Sequence, residues 1–289
     1  SRSGDVFLHR DQQRFNAINP AWLAFLLKQY PLPASIEVTG FQGGIDIGAR
    51  EDANNRMLTM MPSATGSLAL RASGNVRFND SLTLSDMDPV RVPNALRPTI
   101  VIPSTNSLSP GSVESLIVNP LSPRSTPNLH ASIPLHTADD VSVRVYSSAG
   151  DILGINDANT TLTVLDSPKK VDIRAGRDVS DLAVHIQHLD EGDVSRIVVG
   201  RDIRFGSPAE RRDNARIRIG GPGRLDIIAG EDIDLGTSGG IVSRGKLDNI
   251  ALPVGGASLR LAAGVEVKGV DAVGAVDRVL QRLETLPSD

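Results

Sequence analysis

One phrase recurs along this chain with little change. "VDIRAGRDV" occupies 171–179, "RIVVGRDI" 196–203, "LDIIAGEDI" 225–233 and "LRLAAGVEV" 259–267. Aligned on Gly176, Gly200, Gly230 and Gly264, the copies are spaced 24, 30 and 34 residues apart. Self-similarity on that scale marks a solenoid, in which each repeat buries its apolar face only against its neighbours. Before each glycine, apolar residues alternate: Val171, Ile173 and Ala175, then Ile197 and Val199, then Leu225, Ile227 and Ala229, then Leu259, Leu261 and Ala263. A period of two is a strand. Three residues past each glycine comes another aliphatic, so the reading is strand, corner, strand.

The corner residues are the candidate structural set. Glycine is expected there because it tolerates positive φ. Two residues later stands an acid, Asp178, Asp202, Asp232 or Glu266, expected to cap the N–H groups of its own corner. Weaker copies, "SLALRASGNVRF" (67–78) and "VRVYSSAGDI" (143–152), place further corners at Gly74 and Gly150. The fold class expected is all-β: a right-handed parallel β-helix with a long Pro-rich excursion and short flanking helices.

The organisation follows from composition. Residues 1–35 are partly helical, with Asn19 as N-cap and Pro20 at the first helical position. The first coils run over 36–86. Residues 87–136 hold nine of the eighteen prolines; proline removes ladder donors, so this is a surface excursion and not interior sheet. The main coils span 137–268. An amphipathic helix follows at 269–289, with Val273, Val276, Val279, Leu280 and Leu283 on one stripe, suited to cap an open solenoid end. The abrupt start "SRSGDVFLHR" suggests a piece of a longer chain.

The copies, taken in order, resemble a family. "IPLHTADDVSVRVYSSAGDI" (133–152), "AGRDVSDL" (175–182), "DVSRIVVGRDIRF" (193–205), "GGPGRLDIIAGEDIDLGTSGGIVSRG" (220–245) and "LPVGGASLRLAAG" (252–264) are similar to large secreted proteins of the filamentous haemagglutinin type. The likeness is greatest to an uncharacterised domain near the C-terminus of such proteins and covers 133–268. It implies export by two-partner secretion through an outer-membrane transporter, and a place at the outer surface of a Gram-negative bacterium. It also implies a non-enzymatic adhesive or fibre-forming role, with a surface receptor, a glycan or further copies as partners. It carries over no catalytic residue, cofactor or metal ligand.

Two alternatives stand beside this. In register, the acids would lie about 4.8 Å apart, near the roughly 5 Å carboxylate separation of retaining glycosidases and suited to calcium. That suggests a carbohydrate-active β-helix lyase or hydrolase. Aromatics, at 3% of the chain, are few for a sugar groove. A spacer carrying a toxin domain is the other alternative. "HIQH" (185–188) sets two histidines three apart on a strand, hence on opposite faces, unlike a zinc pair. "GGPGRLD" (220–226) lacks the lysine of a phosphate loop and reads as a turn. A net charge of −4 with scattered basic residues gives no nucleic-acid footprint, and with no cysteine there is no disulfide framework.

Overall fold

The computed structural model describes residues 4–8, 32–48, 57–91, 130–154, 163–206, 217–236, 238–246 and 249–265. A first rung, β1 (Val6–Leu8), is followed by strands in triplets: β2 (Ser35–Gly40), β3 (Ile45–Ile47) and β4 (Met57–Met60), then β5 (Ser67–Ala72), β6 (Val76–Phe78) and β7 (Ser81–Leu84). The next turns are β8 (Val143–Ser147), β9 (Ile152–Leu153) and β10 (Thr163–Ser167), then β11 (Val171–Ala175), β12 (Val179–Ser180) and β13 (Leu182–Gln187). They continue with β14 (Val194–Val199), β15 (Ile203–Arg204) and β16 (Ile217–Gly220), then β17 (Arg224–Ala229), β18 (Ile233–Asp234) and β19 (Ile241–Ser243), and end on β20 (Ser258–Ala262).

Apart from β1, which pairs with β3, each strand pairs in parallel with the third strand along. Sheet 1 runs β2-β5-β8-β11-β14-β17-β20, sheet 2 runs β1-β3-β6-β9-β12-β15-β18, and sheet 3 runs β4-β7-β10-β13-β16-β19. The chain is therefore an all-β, three-faced parallel solenoid, as its repeats predict. The first rung reaches back to residue 6, inside the stretch expected to be partly helical. The helices expected near 18–30 and 269–289 lie outside the described residues, as does the middle of the excursion, 92–129.

The core is a set of columns with one residue per turn. In sheet 1, Val38, Leu70, Val145, Ile173, Ile197, Ile227 and Leu261 stack in register. In sheet 3, Leu58, Leu82, Leu165, Val184, Ile217 and Ile241 do the same. Burying each such side chain contributes about 1.5–3 kcal/mol, so every added turn brings its own stabilisation. On the last rung Leu259 and Leu261 stay partly open to solvent.

Outward residues also fix the register. On sheet 1, Arg144, Asp172, Arg196, Asp226 and Arg260 form one row of alternating charge. A slip of one residue would turn this row inward and the aliphatics outward. Beside it, Tyr146 donates from its hydroxyl to Asp172 Oδ2 at 2.7 Å, and the Arg174 guanidinium lies over its ring. Burial pushes the tyrosine pKa up to about 12.

The stretch expected to form an excursion, 87–136, does not interrupt this stack. β8, β9 and β10 sit directly on β5, β6 and β7. The chain leaves sheet 3 after β7 and re-enters sheet 1 at β8. Between them, Met87 and His130 form an antiparallel bridge.

Candidate functional site

The structure brings the predicted corners into one column. The reason for glycine differs from expectation. Of Gly150, Gly176, Gly200, Gly230 and Gly264, only Gly264 has positive φ, at 69°. The others are required by the stack. A Cβ on Gly176 would lie 2.3 Å from Ser148 O, on Gly200 2.2 Å from Gly176 O, and on Gly230 2.0 Å from Gly200 O. Beside Gly150 the obstruction is the Gly74–Asn75 backbone and the Asn75 side chain. Successive corners approach too closely for any side chain.

The acids also act differently from expectation. The carboxylates of Asp151, Asp178 and Asp202 cap the next coil and not their own corner. Asp151 Oδ1 accepts from Asp178 N at 3.2 Å, Asp178 Oδ1 from Asp202 N at 3.2 Å, and Asp202 Oδ1 from Asp232 N at 3.1 Å. Asn75 begins the series by accepting from Asp151 N at 2.9 Å. The arginines reach backwards along the same column. Arg201 grips Asp178 with Nε and Nη2 at 3.1 and 2.8 Å, Arg204 adds a third contact at 2.6 Å, and Arg177 pairs with Asp151 at 2.6 Å. Asp178 is thus buried with its carboxylate fully engaged by a neighbouring turn. This arrangement ties coils together and leaves no pair of free carboxylates there for acid–base work. Glu266 lies outside the described residues. Among the described residues no cluster of three or more metal-ligating groups is found.

A row that sequence reasoning missed runs along sheet 3, facing away from the core. Thr59, Thr83, Asp166, His185 and Arg218 occupy successive rungs. Thr83 Oγ1 donates to Asp166 Oδ2 at 3.0 Å. His185 Nδ1 lies 2.7 Å from Asp166 Oδ1, without hydrogen-bond alignment. Thr83 and Asp166 are buried, as are the adjoining Ala183 and Gln187. An acid and two basic residues therefore share one row, of which Thr59, Thr83 and Asp166 are enclosed.

A second buried polar grouping, around Asp86, lies just past β7. Asp86, just past β7, accepts on Oδ2 from His130 Nδ1 at 2.9 Å, Gln187 Nε2 at 3.1 Å and Asn249 Nδ2 at 3.2 Å. Asn249 also donates to Gln187 Oε1 at 3.0 Å. On the returning limb, Asp139 Oδ2 accepts from Lys169 Nζ at 2.5 Å and from His136 Nδ1 at 3.2 Å. Burial first, and the Lys169 charge second, push the His136 pKa below its ordinary value. The same corner of the next turns holds His188. Its Nδ1–H donates to Pro222 O at 2.8 Å, so Nε2 accepts from Ser195 Oγ at 2.7 Å, and Ser195 Oγ accepts from Val171 N at 3.0 Å. This serine and histidine meet inside the solenoid, both fully enclosed, and act as a stitch between turns. His185 and His188 do face different surroundings, as the strand reading requires. Of "GGPGRLD" only 221–223 are a turn, between β16 and β17, and Arg224, Leu225 and Asp226 are already strand; Gly221 and Gly223 have φ of 79° and 83° and pass close to His188 and Asp193 backbone atoms.

Burial holds His188 neutral as well, pushing its pKa below the ordinary value. The sign of the consequence is fixed. The unfolded chain takes up protons at these histidines near pH ~6.5, whereas the folded chain takes them up only at lower pH. Stability therefore rises with pH between the depressed folded values and ~6.5, is flat with respect to these groups above that, and is lost as pH falls. Urea unfolding at pH 7.5 and at 5.5 should show lower stability in acid. In His188→Gln the slope between those pH values should shrink by about one proton's worth; an unchanged slope would remove His188 from the account.

Comparison of the chain with protein-family profiles, with curated proteins and with solved structures finds no match.

Proposed function

We propose that this chain is a non-enzymatic structural and adhesive segment of a large secreted bacterial surface protein, a right-handed parallel β-helical rod displaying the 87–136 excursion. The observation that carries the reading is the register. The solenoid stacks β8 on β5 across the whole excursion, and a buried polar group ties the two limbs of its root to corners of later turns. A scaffold built this way supports an appendage without depending on it. Function on a rigid scaffold concentrates in such protruding segments. The parts implied by the likeness to filamentous haemagglutinins fit this reading: delivery by an outer-membrane two-partner secretion transporter, a cell-surface location, a receptor or glycan as ligand, and lateral packing of rods into fibres.

Excision tests it. Replacing 92–129 with a short Gly/Ser linker should leave the unfolding transition within a few degrees of the intact chain, since loop length costs only about 0.6 kcal/mol per doubling. The same excision should abolish retention on bacterial or host cell surfaces. Retention that survives would move adhesion to the rod itself.

A second reading, a carbohydrate-active enzyme, is favoured by the Asp166–His185–Arg218 row on sheet 3. It requires release of new chain ends from a polysaccharide, abolished in His185→Ala. The corner acids are poor candidates for that chemistry because arginines and backbone N–H groups already occupy Asp178.

A further inference from the structure

Lys169 is the most enclosed lysine described, with 2% of its surface exposed, and among the described residues it pairs with Asp139. A lysine with a long flexible stem is rarely buried this fully. Here it is held by a tight local turn. Ser167 Oγ donates to Lys169 O at 2.6 Å and accepts from Lys169 N at 3.4 Å. The ammonium nitrogen then meets Asp139 Oδ2 at 2.5 Å. The two carboxylate oxygens have different partners. Oδ1 accepts only from Val141 N, at 3.0 Å, among the described contacts. On Oδ2 converge Lys169 Nζ and the enclosed His136 Nδ1. An amine, a carboxyl group and a neutral imidazole are thereby pre-positioned in a largely enclosed corner, where proximity replaces a bimolecular encounter.

We propose that Lys169 and Asp139 condense spontaneously into an intramolecular isopeptide bond, pinning the returning limb of the excursion to the solenoid. The reacting form is the neutral pair, reached when the ammonium proton passes to Oδ2. Lys169 Nζ attacks Asp139 Cγ. The Val141 N–H stabilises the negative charge that develops on Oδ1. The proton that Nζ loses as the amide forms passes to the departing Oδ2, which the His136 Nδ1–H steadies by donating a hydrogen bond to it. The Cγ–Oδ2 bond breaks as the Nζ–Cγ bond forms, and one water leaves with Oδ2, one proton from the carboxyl group and one from the amine. Nothing is oxidised or reduced, and no co-reactant is needed.

Burial pushes the lysine pKa down, which favours the amine. Burial alone would raise Asp139, but its hydrogen bonds to Lys169, Val141 N and His136 outweigh this and hold it below the ordinary value. The ion pair is thus the resting form before reaction, and the rate is set by the minor neutral pair. Maturation is expected to take place after folding and to be slow.

The bond would close a ring between residues 30 apart and join the corners leading into two neighbouring strands of sheet 1, β8 and β11. It stands independently of the adhesive reading, since a spacer or an enzyme would carry it equally. Intact mass spectrometry of the purified, fully denatured chain decides it. The expected mass is one water below that of the sequence, with a tryptic species joining the peptides that contain Asp139 and Lys169. Lys169→Met and Asp139→Ala should each restore the full mass whether or not they fold, because the measurement is made on denatured chain. His136→Ala should slow the loss of water without shifting its site. A wild-type chain at full mass after prolonged incubation overturns the proposal, as does a water deficit that persists in Lys169→Met.

Discussion

Gly230→Ala is expected to destabilise the chain by about 3–5 kcal/mol, far beyond the usual glycine-to-alanine effect in a loop. The added methyl group would sit 2.0 Å from Gly200 O. Relief requires the two corners to separate. The bonds lost first are Gly230 N to Val199 O, at 3.0 Å, and Glu231 N to Arg201 O, at 2.9 Å. Losing two backbone hydrogen bonds costs about 0.5–1.5 kcal/mol each, and forced repacking adds about 1–3 kcal/mol. Because a solenoid's stability is a sum over turns and their interfaces, the lesion falls on one interface. Unfolding should then lose its single transition, the turns after residue 230 detaching first. Gly200→Ala should behave alike, since its methyl group would lie 2.2 Å from Gly176 O.

Two other glycines separate contact from conformation. Gly206 has no atom within 4 Å of a built Cβ and no positive φ, so its alanine variant should be neutral or gain about 0.4–1 kcal/mol. Gly264 also has open space but a φ of +69°, so its alanine should cost about 1–2 kcal/mol. Equilibrium urea unfolding of the four variants checks the order. Gly230→Ala within 1 kcal/mol of wild type, or no worse than Gly264→Ala, would refute the stacking account.

The same contrast explains what the sequence made legible. Alternation before each glycine is a local property, and it located the strands, the faces and the core columns correctly. The glycines themselves were found by repetition, but their purpose was not, because the atom that forbids a side chain belongs to the preceding turn. The acids misled for a similar reason. Asp178 is two residues from Gly176, so its own corner seemed the natural partner, yet its acceptor oxygens serve Asp202 N and two arginines one turn on. Unequal repeat lengths concealed the register; the structure absorbs the differences in loops between sheets 2 and 3 and between sheets 3 and 1, and the columns remain aligned. The polar root was wholly hidden. Gln187 and Asn249 are 101 and 163 residues from Asp86, and no short pattern connects them. What the sequence did offer was a polar or charged residue at the end of several sheet 3 strands, a hint visible only once those strands are stacked.

Asp86→Ala should cost about 3–5 kcal/mol and loosen the excursion from the rod. The carboxylate joins three separated segments through one oxygen: His130 on the returning limb, Gln187 at the end of β13 and Asn249 in the loop before β20. Removing it does not orphan all three equally, since Asn249 Nδ2 keeps Gln187 Oε1 at 3.0 Å. His130 Nδ1 and Gln187 Nε2 lose their acceptor in a site closed to water, at about 1–3 kcal/mol each, and bonds to a charged acceptor lie at the upper end of that range. Asp86→Asn keeps one acceptor oxygen but presents an amide N–H₂ group to surrounding donors, so it should fall between alanine and wild type. The structural consequence is local as well as global. With His130 released, the limb that carries it is tied chiefly through its bridge to Met87 and through Asp139. Limited proteolysis under native conditions should cut Asp86→Ala near residues 130–136 at least several-fold faster than wild type, while the turns from β11 to β17 stay protected from hydrogen exchange. Equal cleavage rates in the two chains would mean that the cluster is a passive polar filling, and that the root of the excursion is held by the Asp139–Lys169 contact instead.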